Sequence, residues 1–151
     1  MKALIQRVSA AEVKVDDCVV GSIGKGLVVF LGIARTDTLS EASYIVNKVV
    51  NIRLFDNNVG LFDLSPLDVQ AELLVVSQFT LHAQTRKGRR PSFIEAMVPE
   101  QAEVLYKETL QLFQKSGLVI ATGIFKSHMN VTLTNDGPVT LMIDSADRTS
   151  K

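Results

Sequence analysis

Leu27-Val28-Val29-Phe30-Leu31-Gly32-Ile33 is the greasiest run in the chain, and its reading decides the fold. Seven residues are far too few to cross a bilayer as a helix, which takes about 20. The run is continuous rather than alternating, and rich in branched side chains between glycines. That pattern predicts a strand buried on both faces. Upstream, Lys2 to Val8 and Glu12 to Val15 read as strands, Val13 and Val15 alternating with Glu12 and Lys14. Asp16-Asp17 offers the turn of a hairpin into Cys18 to Val20. Gly21, Gly24 and Gly26 resemble a phosphate loop in spacing. They lack its Lys-Ser/Thr ending and lead into a strand, so they read as a turn.

Downstream, Ser40 can cap a helix whose apolar residues Ala42, Ile45, Val46, Val49 and Val50 fall at helical spacing. Short strands flank the Asp56-Asn57-Asn58 turn, at Arg53 to Phe55 and Leu61-Phe62. Ala71 to Val76 is a second buried strand. A second helix starts at Pro99 and ends before Gly117, with Ala102, Leu105, Tyr106 and Phe113 on its inner face. Strands follow at Leu118 to Thr122, His128 to Thr134 and Val139 to Ile143. The order predicts one α+β domain over residues 1–145, with two main helices on a curved, barrel-like mixed or antiparallel sheet. A ferredoxin-like closure fits the pattern as well. Residues 146–151 read as a polar, flexible tail.

The chain has 151 residues, 46% of them hydrophobic, which is enough for a core without disulfides or metal. Sixteen Lys and Arg balance sixteen Asp and Glu, so RNA contact must come from a local patch. Cys18 is the lone cysteine, and the start lacks the apolar core of a secretory signal. The expected compartment is the cytoplasm, with no membrane partner. Two histidines and one cysteine make no zinc pattern, and no GxSxG elbow, Walker loop or dinucleotide fingerprint is present. Neither a metal nor a cofactor is expected.

Three polar clusters stand out. In Ser77-Gln78-Phe79-Thr80-Leu81 a buried strand ends in three hydrogen-bonding side chains, a good place to fix donors around a carbonyl substrate. Asn135-Asp136-Gly137-Pro138-Val139-Thr140 reads as a turn between two strands, with a Gly-Pro bond able to be cis. Arg86-Lys87-Gly88-Arg89-Arg90 sets four cations in five positions, suited either to phosphates or to solvent.

The first cluster resembles the SQFTL motif of the D-aminoacyl-tRNA deacylases, and the second their NxGPxT motif. Ala3-Leu4-Ile5-Gln6-Arg7-Val8 is similar to that family's first strand, and Gly88-Arg89-Arg90-Pro91-Ser92-Phe93 to its GxRPSF segment. Animal-type relatives that relax the chirality rule depart from SQFTL; this sequence does not. The resemblance implies a homodimer with active sites at its interface, acting on the aminoacylated 3′ end of tRNA. It implies that Ser77, Gln78, Phe79 and Thr80 form the catalytic site, while Gly137 and Pro138 of the other subunit, in cis, exclude L-amino acids. Arg7 matches an arginine bracing that Gly-Pro, and Phe125 an aromatic near the terminal adenosine. Arg86, Lys87, Arg89 and Arg90 would hold the tRNA backbone.

A filter built from backbone carbonyls rejects by steric and desolvation cost, so glycyl-tRNA should be hydrolysed too. Thr80 as nucleophile would need a base. His82 would share its face if the strand continued, but it lies outside the motif and reads as a surface residue. Backbone N–H groups with help from the tRNA 2′-hydroxyl are the alternative, favoured by the resemblance. A non-catalytic RNA-end-binding module and a hydrolase of small D-amino acid esters or peptides are competing readings.

Overall fold

The computed structural model describes residues 1–60, 62–86 and 88–148. Its first strand, β1 (Lys2–Val15), organises the rest. The two strands expected there are one, because the last strand pairs along it without a break in β1, from Lys2 to Lys14. Asp16 and Asp17, both at positive φ, turn the chain into β2 (Cys18–Ile23). β3 (Gly26–Gly32) follows, and β2 and β3 pair antiparallel with the two halves of one edge of β1. The last strand, β8 (Asn130–Asp144), pairs antiparallel along the other edge.

β3 leads into α1 (Leu39–Asn51) and, through the small β4 (Phe55–Asp56), β5 (Phe62–Leu64) and the four-residue α2 (Pro66–Val69), to β6 (Glu72–Ser77). β6 lies parallel to β3. A second crossover through α3 (Pro99–Gln114) sets β7 (Ile120–Thr122) parallel to β6. The sheet is therefore mixed. It curls until β2 returns against β7, where a Cβ on Gly21 would stand 2.5 Å from the Thr122 carbonyl oxygen. The result is a nearly closed barrel with two main helices on one face, as the strand–helix order predicts.

The apolar run of β3 now has its explanation. Leu27, Val29 and Leu31 join the core under the helices, while Val28 and Phe30 face the barrel interior. β6 divides the same way, Leu73 and Val75 outward and Leu74 and Val76 inward. Strands buried on both faces cannot alternate in polarity. β3 and β6 also approach closely: a Cβ on Gly26 would lie 1.8 Å from the Glu72 carbonyl oxygen, so only glycine fits.

α1 buries the five apolar residues expected of it, at roughly 1.5–3 kcal/mol for each of the larger ones. Its cap is Thr38 rather than Ser40. Thr38 Oγ1 accepts from the Ser40 N–H, and Glu41 reaches back to the Thr38 N–H at 2.8 Å. α3 starts at Pro99 as expected and stops before Gly117, whose φ is +81°.

The Asn135–Thr140 segment is not a turn between two strands. It lies inside β8 as a bulge: Gln6 faces Thr140 and Val8 faces Asn135, so two steps along β1 are met by five along β8. Ser145–Asp147 forms a 3₁₀ turn whose Ser145 hydroxyl accepts from the Met1 ammonium at 2.6 Å, and Arg148 donates to Ser40. Leu61, Lys87 and residues 149–151, to which parts of the strand, basic-loop and tail expectations refer, lie outside the described residues. No helix among those described is long and apolar enough to cross a membrane.

Candidate active site

β6 is parallel to β3 up to Ser77, where the Gln78 N–H donates to the Leu31 carbonyl at 2.8 Å. The chain then leaves the sheet as a 3₁₀ turn over Phe79–His82. Gly32 of β3 allows this: a Cβ there would sit 3.0 Å from both the Gln78 oxygen and Leu81 Cβ. The strand does not continue, so Thr80 and His82 do not share a strand face. Gln78 Nε2 donates to Thr80 Oγ1, tying the amide to the hydroxyl. No side chain caps this turn, and the first N–H groups of any helical turn lack a partner within it.

Beside the turn opens a cleft of about 590 Å³. Ser77, Gln78 and Phe79 form one wall, Phe93 and Met97 another, and Phe125 with its neighbours a third. Phe79 is 58% exposed and stacks edge-on against Phe93, with centroids 5.0 Å apart. Phe125 packs on Tyr106. The Tyr106 hydroxyl donates to the Val75 carbonyl at 2.9 Å, fixing the end of β6, and burial pushes its pKa up. Met97 carries no polar or periodic signal in the sequence, and Phe93 enters there only as the end of the GxRPSF-like segment, so neither is expected as a cleft wall.

Thr80 is exposed and does not line the cleft. His82 is buried rather than on the surface, because the turn folds it down over Gly32. Its Nε2 has no partner, and no hydrogen bond joins it to Thr80. Thr80 therefore has no base at hand among the described residues. No group of three or more His, Cys, Asp or Glu among them is placed to hold a metal.

Gly137 and Pro138 lie elsewhere. Both are exposed on β8, their peptide bond is cis, and neither lines the cleft. The bulge is held from two sides. Asn135 Oδ1 accepts from the Val139 N–H at 2.7 Å, and its Nδ2 reaches Thr140 Oγ1 at 2.9 Å. Arg7, 7% exposed, donates from Nε to the Asp136 carbonyl at 3.0 Å and from a terminal nitrogen to the Leu54 carbonyl at 2.6 Å. Its charge is met by Asp56 and Asp136 and covered by the Phe62 ring, 5.2 Å away.

The basic loop springs from the same turn. Gln84 and Ser92 exchange backbone hydrogen bonds of 2.8 and 3.0 Å, leaving Arg86, Arg89 and Arg90 exposed at the tip. Phe93, just past its root, is the ring that meets Phe79.

A profile of the D-Tyr-tRNA(Tyr) deacylase family matches residues 4–144. A D-aminoacyl-tRNA deacylase of Clostridium botulinum is 51% identical over 146 residues, covering 97% of this chain and 98% of its own. One of Aquifex aeolicus is 50% identical over 147 residues, covering 97% and 99%. Among solved structures, the c-Myc DNA Unwinding Element Binding Protein superposes with TM-score 0.90 at 41% identity, covering 95% of this chain and 98% of its own. A second, described as "a probable eukaryotic D-amino acid tRNA deacylase", shares the fold at TM-score 0.82 and 16% identity, covering 94% and 97%. With the profile spanning almost the whole chain and relatives near half identity end to end, the chain belongs to the D-Tyr-tRNA(Tyr) deacylase family.

Proposed function

We propose that the protein hydrolyses the ester of D-aminoacyl-tRNA in the cytoplasm, releasing tRNA and the free D-amino acid, with residues 1–145 as the catalytic domain. The observation that carries this reading is the cleft at the end of β6, where Ser77, Gln78 and Phe79 face Phe125 across a space sized for a nucleoside and a small acyl group. Water adds to the ester carbonyl. The oxyanion is held by backbone N–H groups at Phe79 and Thr80, and the 3′ oxygen of the terminal ribose leaves, the neighbouring 2′-hydroxyl assisting proton transfer. Thr80, lacking a base, positions Gln78 rather than attacking. Arg86, Lys87, Arg89 and Arg90 hold the tRNA backbone.

The protein acts as a homodimer. Gly137 and Pro138 of one subunit close the cleft of the other, and their carbonyls occupy the space that an L-residue's side chain requires. This reading rests on the exposed bulge, braced by Arg7 and Asn135, in a position where it does not line the cleft at the end of β6 in its own chain. Such a filter has nothing to refuse in glycine. One tRNA charged in turn with D-alanine, glycine and L-alanine tests it: the first two should be released and the third spared. Survival of glycine alongside L-alanine would replace the steric filter by positive recognition of a D side chain. Survival of all three would end the hydrolase reading.

A further inference from the structure

The cleft's walls carry an unused electrostatic asymmetry. Among the described residues lining it, the ionisable side chains are Lys126 and His128, both from the β7–β8 connection, and no carboxylate is present. In a chain of net charge zero, this makes the cleft mouth locally cationic. Lys126 is exposed, and no carboxylate among the described residues forms an ion pair with its ammonium.

Its backbone is the second observation. Lys126 sits at φ +64°, in a tight turn closed by the Ser127 N–H on the Ile124 carbonyl. That region is one that glycine takes freely and a lysine rarely adopts. No local side-chain hydrogen bond compensates, so the fold gains nothing evident from lysine here. What the position gives is a cation beside Phe125 in a cleft whose other walls are mostly apolar.

Building on the function proposed above, we infer that Lys126 is a positioning residue that grips the phosphodiester preceding the terminal nucleoside of the tRNA, with His128 beside it. A nucleoside filling the apolar cleft leaves that phosphate at the mouth, where the exposed ammonium stands. The contact sets the depth to which the 3′ end enters, and so the placing of the ester against Phe79. It is separate from the basic loop, which follows the β6 turn directly, whereas Lys126 belongs to the β7–β8 connection.

The probes are adenosine and the dinucleoside monophosphate cytidylyl-adenosine, which differ by one phosphodiester and one nucleoside. Wild-type protein should bind the dinucleotide more tightly, by a margin that shrinks with salt. Lys126→Gly should cut that margin roughly three- to tenfold and flatten the salt slope by about 0.7 unit, leaving adenosine affinity alone. On D-tyrosyl-tRNA it should raise KM more than it lowers kcat, and Lys126→Arg should restore it. Thermal stability of Lys126→Gly should equal or exceed wild type, since glycine relieves the positive φ. A purely structural lysine would not separate stability from binding in this way. An unchanged dinucleotide margin and salt slope in Lys126→Gly, with wild type still hydrolysing D-tyrosyl-tRNA, overturns this inference alone. Failure of wild type to hydrolyse that substrate removes the functional reading and this one with it.

Discussion

Arg7 shows how much one buried side chain can hold. It begins on β1, spans to the Leu54 carbonyl ahead of β4, and reaches the Asp136 carbonyl within the β8 bulge. Each of those carbonyls would lose a charge-assisted partner if the guanidinium were removed. Lysine cannot reproduce the fork, so Arg7→Lys should destabilise the protein by about 1–3 kcal/mol. It should also loosen the bulge and let L-aminoacyl-tRNA be hydrolysed more readily relative to D. Urea denaturation and the D/L ratio of deacylation on one tRNA report the two effects separately. Lower stability with an unchanged ratio would make Arg7 a structural brace with no part in selection. His82 teaches the opposite lesson. Its neighbours in sequence suggest a surface residue, yet the turn buries it against Gly32, away from the chemistry.

Elements here begin and end where short polar residues permit. α1 is opened by the pairing of Thr38 with Glu41, whose carboxylate accepts from both the Thr38 hydroxyl and N–H at 2.7 and 2.8 Å. These bonds, the hydroxyl first, hold the Glu41 carboxyl below its usual range. A lowered folded pKa means the stabilisation is present above the ordinary carboxylate range and is lost as pH falls through the folded value. Glu41→Gln should therefore be less stable than wild type at pH 7, and the gap should be narrower at pH 3, below the ordinary carboxylate range. Thr38→Ala removes the cap itself and should cost about 1 kcal/mol. Urea titrations at both pH values decide the matter, and a gap that persists undiminished in acid would mean the carboxylate charge is irrelevant to the cap.

At the scale of the whole molecule, the exposed Gly137-Pro138 bulge stands apart from the residues that line the cleft of its own chain. β8 pairs with β1 on one edge only among the described strands, and it exposes Leu141 and Met142. An uncovered edge of that length invites a partner. If two chains share each site, a variant disabled at Phe79 and Thr80 mixed with one disabled at Gly137 should recover activity, since each mixed dimer keeps one intact site. Equal mixing should restore roughly a quarter of wild-type activity. Mixed dimers no more active than either parent would place both parts of the site within one chain.

The sequence by itself determined what depends on local order. Residues 27–33 announced a strand buried on both faces, the spacing of Ala42 to Val50 and of Ala102 to Phe113 gave the two main helices, and the motifs at Ser77 and Asn135 carried the family. Periodicity and turn chemistry act over a few residues and so survive in one dimension. Tertiary structure decided the rest. Asn135–Thr140 has the composition of a turn, yet β1 runs past it unbroken and draws both flanking segments into one strand, leaving the excess residues as a bulge. Ser77 to His82 could have continued as a strand, but Gly32 beneath gives the backbone room to curl over β3. Phe93, Met97, Phe125 and Lys126 are brought to one cleft by the closing of the sheet. No local pattern encodes that meeting, because it depends on contacts among residues far apart in the chain.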